Sequence, residues 1–137
     1  MILVDINIFE DVIRKREGWE GSLGVLSRVR SEDVTGVVSA LTVPVLYFLR
    51  RLPDRKARKK VKETIQGFGI IDLTSEIIND AMDDQEFVDF EDAIQFYSAK
   101  SANAEIIITR NKKHFRVVEG KINVLTPEEF LAQELQK

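Results

Sequence analysis

The sequence predicts an α/β fold: a three-layer α/β/α sandwich around a central parallel sheet of about four to five strands. Three observations carry that prediction. Short continuous apolar runs such as Ile2-Leu3-Val4 and Gly36-Val37-Val38 have the character of strands buried on both faces. Between such runs lie stretches with apolar residues at helical intervals. The two kinds of segment alternate over all 137 residues, which is the pattern of a parallel sheet wrapped by crossover helices.

Taken in order, Ile2-Leu3-Val4 is the first strand, and the segment after Asp5 is a helix with Ile8, Phe9, Val12 and Ile13 as its apolar stripe, broken by Gly18. A second helix is expected from Glu20 to about Arg30, burying Leu23, Leu26 and Val29. Gly36-Val37-Val38 is the second strand. Ser39 or Thr42 is expected to cap the helix that follows, with Pro44 tolerated in its first turn. Pro53-Asp54 opens a basic helix ending near Gly67 and Gly69. Ile70-Ile71-Asp72-Leu73 reads as the third strand, and Thr74-Ser75-Glu76 caps a helix carrying Ile77, Ile78 and Ala81. The next helix runs from Phe90 to Ala102 and presents Ala93, Phe96 and Tyr97. Glu105-Ile106-Ile107-Ile108-Thr109 is the clearest strand, and Val124 centres a last short one. Thr126-Pro127-Glu128-Glu129 has the cap, the first-turn proline and the acids of a helix start.

Length and composition bound the function. One domain spanning residues 1–137 is expected, large enough to bury a continuous core. With no cysteine, disulfides, thiolate catalysis and cysteine-rich zinc sites are excluded. No apolar run approaches a membrane span, and the N-terminus lacks a basic leader, so the expected address is the cytoplasm. Charge is unevenly spread. Arg50 to Lys62 holds eight basic residues, including Arg55 and Lys59, whereas Asp80 to Asp92 holds seven acids. The first run offers a face for phosphates and the second a place for a cation, unless both are simply solvated helix surfaces.

Asp5 and Asp92 each stand where a strand or loop hands over to a helix. In an open parallel sheet such points gather along one edge, where ligands bind, and carboxylates gathered there repel one another unless a cation sits between them. Asp5 is therefore a candidate ligand, with helix capping as its alternative role. Asn7 can orient Asp5 or meet a phosphate, or it can simply favour the turn. Asp89 lies three residues before Asp92 and would share its helix face, one of the two serving as cap; Glu91 is expected to point away into solvent. Trp19, Tyr47 and Phe48 could stack on bases, but the apolar setting of Tyr47 and Phe48 favours packing in the core or at a subunit interface.

Three stretches together resemble the PIN domain, in particular its VapC-like toxin-type members. They are Val4-Asp5-Ile6-Asn7-Ile8-Phe9-Glu10-Asp11-Val12, continuing to Trp19; Asp89-Phe90-Glu91-Asp92-Ala93; and Ile107-Ile108-Thr109-Arg110-Asn111-Lys112-Lys113-His114-Phe115. Ser39-Ala40-Leu41-Thr42 sits where the family has its second-strand exit. The resemblance implies a PIN-like doubly wound sheet and a metal-dependent endoribonuclease of RNA, using Mg²⁺ or Mn²⁺ in a nest of acids. It also implies a cognate antitoxin protein and a homodimer. On these positions Asp5 and Asp92 would be catalytic and, with Asn111, hold the metal; Asn7, Asp11, Asp89 and Thr109 would support them. Arg55, Lys59, Arg110 and His114 are candidates to touch substrate.

Two departures temper that picture. The family usually places a glutamate near Val45, and Thr35 through Pro53 contains no acid in any register. In the closing motif Asn111 and His114 replace the usual acids. Asn111 can still ligate magnesium or can be a turn residue, while the imidazole of His114 suits zinc or manganese better. The alternative is a catalytically weakened or inactive PIN fold acting as an RNA-binding or protein-interaction module. A phosphoacceptor receiver domain fits less well, because Asp5-Ile6 is not an acidic pair and Asp72 lies inside its expected strand.

Overall fold

The chain is described by a computed structural model covering residues 1–136. Five strands, β1 (Ile2–Val4), β2 (Gly36–Ser39), β3 (Gly69–Ile71), β4 (Ile106–Ile108) and β5 (Asn123–Leu125), form one parallel sheet in the order β3-β2-β1-β4-β5. The helices are α1 (Ile6–Arg14), α2 (Trp19–Arg30), α3 (Thr42–Arg50), α4 (Asp54–Thr64), α5 (Ser75–Asp83), α6 (Phe90–Ser101) and α7 (Pro127–Leu135). A 3₁₀ helix, Lys112–Val118, lies between β4 and β5.

Strand periodicity sorts the core into two layers. Ile2, Val4, Val38 and Ile108 point to one face and pack with Ile8 and Phe9 of α1, Val25, Leu26 and Val29 of α2, Leu46 of α3, Val61 of α4 and Phe130 of α7. Leu3, Val37 and Ile107 point to the other and meet Ile77 and Ala81 of α5, Ala93, Phe96 and Ala99 of α6, and Phe115 of the 3₁₀ helix. Because both faces are covered at the centre of the sheet, β1 and β4 are apolar at every position rather than at alternate ones. Burying each such Leu, Ile or Phe contributes about 1.5–3 kcal/mol over leaving it exposed.

The chain lays β1, β2 and β3 outward in one direction, then returns to place β4 on the far side of β1. The helix leaving β1 covers one face and the 3₁₀ helix leaving β4 covers the other. A crevice therefore opens at the carboxyl ends of β1 and β4, the switch point where open α/β sheets hold ligands.

Several local expectations need correction. Neither Ser39 nor Thr42 caps α3: the cap position is Leu41, and Ser39 Oγ instead accepts the Leu41 amide at 3.2 Å. The basic helix α4 stops at Thr64, before Gly67, whose left-handed backbone (φ 91°) then turns the chain towards β3. Asp72 falls just past β3 rather than inside it. Leu23 is only partly buried, its place on the inner face taken by Ser22 and Val25. Phe48 is 73% exposed, so it is no part of the core. The Thr126 capping box on α7 is present as expected, complete with its reciprocal Glu129 contact.

Gly36 marks the tightest approach between sheet and helix. A Cβ there would lie 2.6 and 2.8 Å from the two Val29 methyls and 3.0 Å from the Phe68 ring. Val29 is β-branched and held in the core, so it cannot swing aside. Gly36→Ala is expected to lower stability by about 1–3 kcal/mol in urea unfolding; an unchanged midpoint would show that α2 can shift outward.

Candidate functional site

At the switch point, Asp5 follows β1 and caps α1. Its Oδ1 accepts the Ile6 amide at 2.7 Å, and its Oδ2 accepts Thr109 Oγ1 at 2.8 Å and Asn7 Nδ2 at 3.3 Å. Capping and siting are thus not alternatives: one carboxylate does the first with one oxygen and faces its neighbours with the other. Asn7 also donates to Thr109 Oγ1 at 3.2 Å and accepts the Arg110 amide at 3.2 Å, while the Asn111 amide donates to Thr109 Oγ1 at 3.1 Å. Together with the bond from the Asp5 amide to the Ile108 carbonyl, these contacts stitch the β1 and β4 exits into one rigid corner.

The second carboxylate comes from α6. Asp89 is its N-cap, not a helical residue, and accepts the Asp92 amide at 3.1 Å. Asp92 is largely buried, and its Oδ2 lies 3.0 Å from His114 Nδ1. Asp5, Asn7, Asp89, Asp92, Asn111 and His114 line one cavity of about 150 Å³. The structure therefore brings together residues from both ends of the chain. Val45 forms part of the same wall, so the position of the missing glutamate does face the site.

Other expectations separate from it. Asp11 does not line the cavity: it is buried, with Oδ2 accepting from Ser22 Oγ and Arg110 Nε, both at 2.8 Å, and Oδ1 pairing with Arg16. Arg110 is likewise built into the structure, bonding Asp11, Glu128 and the Gly18 carbonyl. Arg55 and Lys59 are exposed on α4 and line no part of the carboxylate cavity. Trp19 sits at the start of α2 beneath the Lys15 ammonium, 5.9 Å from the ring. Sequence reasoning missed Glu10, which lines the cavity; Glu91 is exposed, as expected, yet lies on the cavity wall as well. Helical spacing leaves Glu10 and Asp11 nearly equivalent relative to Asn7; it is Ser22 and Arg110 that claim Asp11 and leave Glu10 to the cavity.

Electrostatics distinguish the two acids. Burial drives the Asp5 carboxyl up to about 7. The Thr109 hydroxyl and Ile6 amide pull it down, but the charges of Asp92 and Glu91 add to the rise. Asp92 is also raised, by burial and then by Asp89, with His114 opposing. Among the described residues Asp5 has no ion-pair partner.

A divalent cation fits that arrangement. Among the described residues no three Asp, Glu or His groups are drawn together into a ready-made metal cluster. Magnesium, however, keeps most of its waters and needs only one or two direct carboxylates. The donors around the cavity are chiefly oxygens, and the buried, uncompensated Asp5 is the group a cation would relieve.

A family model for the PIN domain matches residues 1–113. Ribonuclease VapC1 from Aquifex aeolicus (strain VF5) is 26% identical over 135 residues, spanning 94% of this chain and 92% of that protein. A chain of a toxin-antitoxin complex from Klebsiella pneumoniae superposes with a TM-score of 0.69 at 24% identity, covering 93% of this chain and 98% of that one. VapBC2 from Rickettsia felis, solved bound to a DNA fragment from its promoter, gives 0.68 at 16% identity over 90% of this chain and 97% of that one. At those identities the two structures speak for the fold.

The folded protein holds the Asp5 proton to about pH 7, whereas an unfolded aspartate releases it near the ordinary 3.8. Between those values the folded state binds more protons, so stability falls as pH rises, and above about 7 the penalty is complete. Asp5→Asn is expected to raise metal-free stability near pH 8 by on the order of 1–3 kcal/mol and to change little near pH 4. Urea unfolding in chelator at both values checks this; no gain at the higher pH would show that Asp5 carries no such penalty. Arg110→Ala, which strips Asp11 of a partner, is expected to lower stability by about 2–4 kcal/mol, against about 0.5 or less for Arg55→Ala. Equal effects from the two would contradict the structural role of Arg110.

Proposed function

The chain belongs to the PIN-domain family, and we propose that it is a divalent-metal-dependent endoribonuclease of the VapC toxin type, hydrolysing RNA phosphodiester bonds at the carboxylate cavity. The observation that carries this reading is Asp5: a buried carboxyl at the switch point, beside Asp92 and Glu91 and, among the described residues, without an ion-pair partner. The identity with Ribonuclease VapC1 over nearly the whole chain supports the reaction class.

In this reading Asp5 and Asp92, with Asn111, hold Mg²⁺ or Mn²⁺. When bound, such an ion activates water and offsets the charge that grows on a phosphate under attack. The chain's own residues do the rest. Thr109, Asn7 and the Ile6 amide fix the Asp5 rotamer, so the carboxylate meets its ligand without reorganising. Asp89 anchors the start of α6 and thereby sets where Asp92 stands. Lys113 and Arg116, on the same short helix as His114, line a separate cavity of about 410 Å³ and would supply positive charge for RNA phosphates. The exposed basic face of α4, with Arg55 and Lys59, lies on the other layer of the sheet and would offer a second positive surface.

The same reading gives the protein an antitoxin partner, as in the Klebsiella pneumoniae complex and VapBC2, a homodimeric state and a cytoplasmic setting. Among the described residues no helix is long and apolar enough to cross a membrane. A second reading, a weakened or inactive PIN fold that binds RNA or protein, is favoured by Val45 in the cavity wall. An apolar side chain there removes one anionic ligand and lowers the pull on a metal.

A cleavage assay on structured RNA separates the two. Cleavage is expected with Mn²⁺, none in chelator, and a loss of about 100-fold or more in Asp5→Asn and in Asp92→Asn with the fold intact. Undiminished cleavage in both variants would overturn the assigned site. RNA bound but left whole at every Mn²⁺ concentration would select the second reading.

A further inference from the structure

One group in the cavity does not belong to magnesium chemistry. His114 stands in the 3₁₀ helix after β4, just beyond the stretch matched to the PIN domain, with Nδ1 3.0 Å from Asp92 Oδ2. Its side chain is 42% exposed against 13% for Asp92, so the ring sits at the mouth and the carboxylate deeper in. The remaining donors on the cavity wall, among them Asp5, Glu10 and Asn111, are oxygens.

Two neighbouring ligands on an octahedral ion with bonds of 2.0–2.1 Å lie about 3.0 Å apart. Nδ1 of His114 and Oδ2 of Asp92 already have that separation. The pair that shares a hydrogen bond can therefore grip one ion from the same backbone positions. Imidazole nitrogen suits the first-row transition ions, among which manganese binds it most weakly but still more readily than magnesium, a hard ion that keeps to oxygen.

We propose that His114 is a direct ligand of the divalent ion, acting with Asp92, and that it makes this site select manganese over magnesium. The inference rests on the metal-dependent reading above and narrows it to one class of ion. Ligation uses the Nδ1 lone pair of the neutral ring, whose single proton then sits on Nε2. No second histidine exists in the chain, so any ring nitrogen on the ion comes from residue 114.

That single histidine makes the test direct. Mn²⁺ titrated into the whole protein is followed by electron paramagnetic resonance, and pulsed measurements read nitrogen coupled to the bound ion. Strong ¹⁴N coupling of a directly bound imidazole is expected in the natural protein and none in His114→Ala, with Mn²⁺ affinity falling about 10-fold or more and Mg²⁺ affinity, read by competition, changing less than about threefold. His114→Asp is expected to bind Mg²⁺ at least as well as the natural protein, without the nitrogen signal. Bound Mn²⁺ lacking ¹⁴N coupling, or Mn²⁺ affinity unchanged or higher in His114→Ala, would overturn the proposal and leave His114 a hydrogen-bonding cover over Asp92, with the metal-dependent reading intact. Failure of the natural protein to bind Mn²⁺ at all would overturn that reading as well.

Discussion

A carboxylate buried without a counter-charge is the constraint around which this site is organised. Asp5 sits where β1 and β4 part, at a corner of the sheet from which elements leave to opposite faces. Hydrogen bonds from Thr109, Asn7 and the Ile6 amide favour its charged form, yet burial and the neighbouring Asp92 and Glu91 outweigh them. A fold that keeps such a group gives up stability at neutral pH unless something positive enters. Structural ion pairs solve the same problem from within; among the described residues none does so for Asp5.

Asp11 shows the contrast only six residues away. It is equally buried, but Arg16, Arg110 and Ser22 surround it, and Arg110 extends the network to Glu128 on α7 and to the carbonyl of Gly18 before α2. One acid of α1 thus fastens helices together while the acid preceding that helix faces the cavity. The stretch Thr109-Arg110-Asn111 divides in the same manner. Thr109 braces Asp5, Arg110 turns to the helix layer, and Asn111 lies on the cavity wall. Neighbours in a motif need not share a task, because successive residues leaving a strand point to opposite sides.

The groups lining the cavity pull in different directions. Its walls combine rigid oxygens, a single imidazole and the apolar Val45. Removing an acid at Val45 lowers the negative charge, which weakens the hold on a hard cation and eases the approach of a phosphate. A nitrogen donor at His114 acts the other way for softer ions. The balance between these terms, rather than the number of acids alone, sets what the site does.

Much of this was legible in the residues themselves. Continuous apolar runs located the strands and helical spacing located the helices, because both periodicities are local consequences of backbone geometry and burial. The parallel α/β class followed from their alternation, and Asp5 and Asp92 from their place at the ends of those elements. Tertiary structure decided the rest. Whether Glu10 or Asp11 faces the cavity depends on Ser22 in α2 and on Arg110, 99 residues along the chain. That Glu91 is exposed and still lies on the cavity wall depends on where α6 stands beside the switch point. An ionisable side chain takes its role from the charges and donors that surround it, and those are brought by distant segments that no local pattern records.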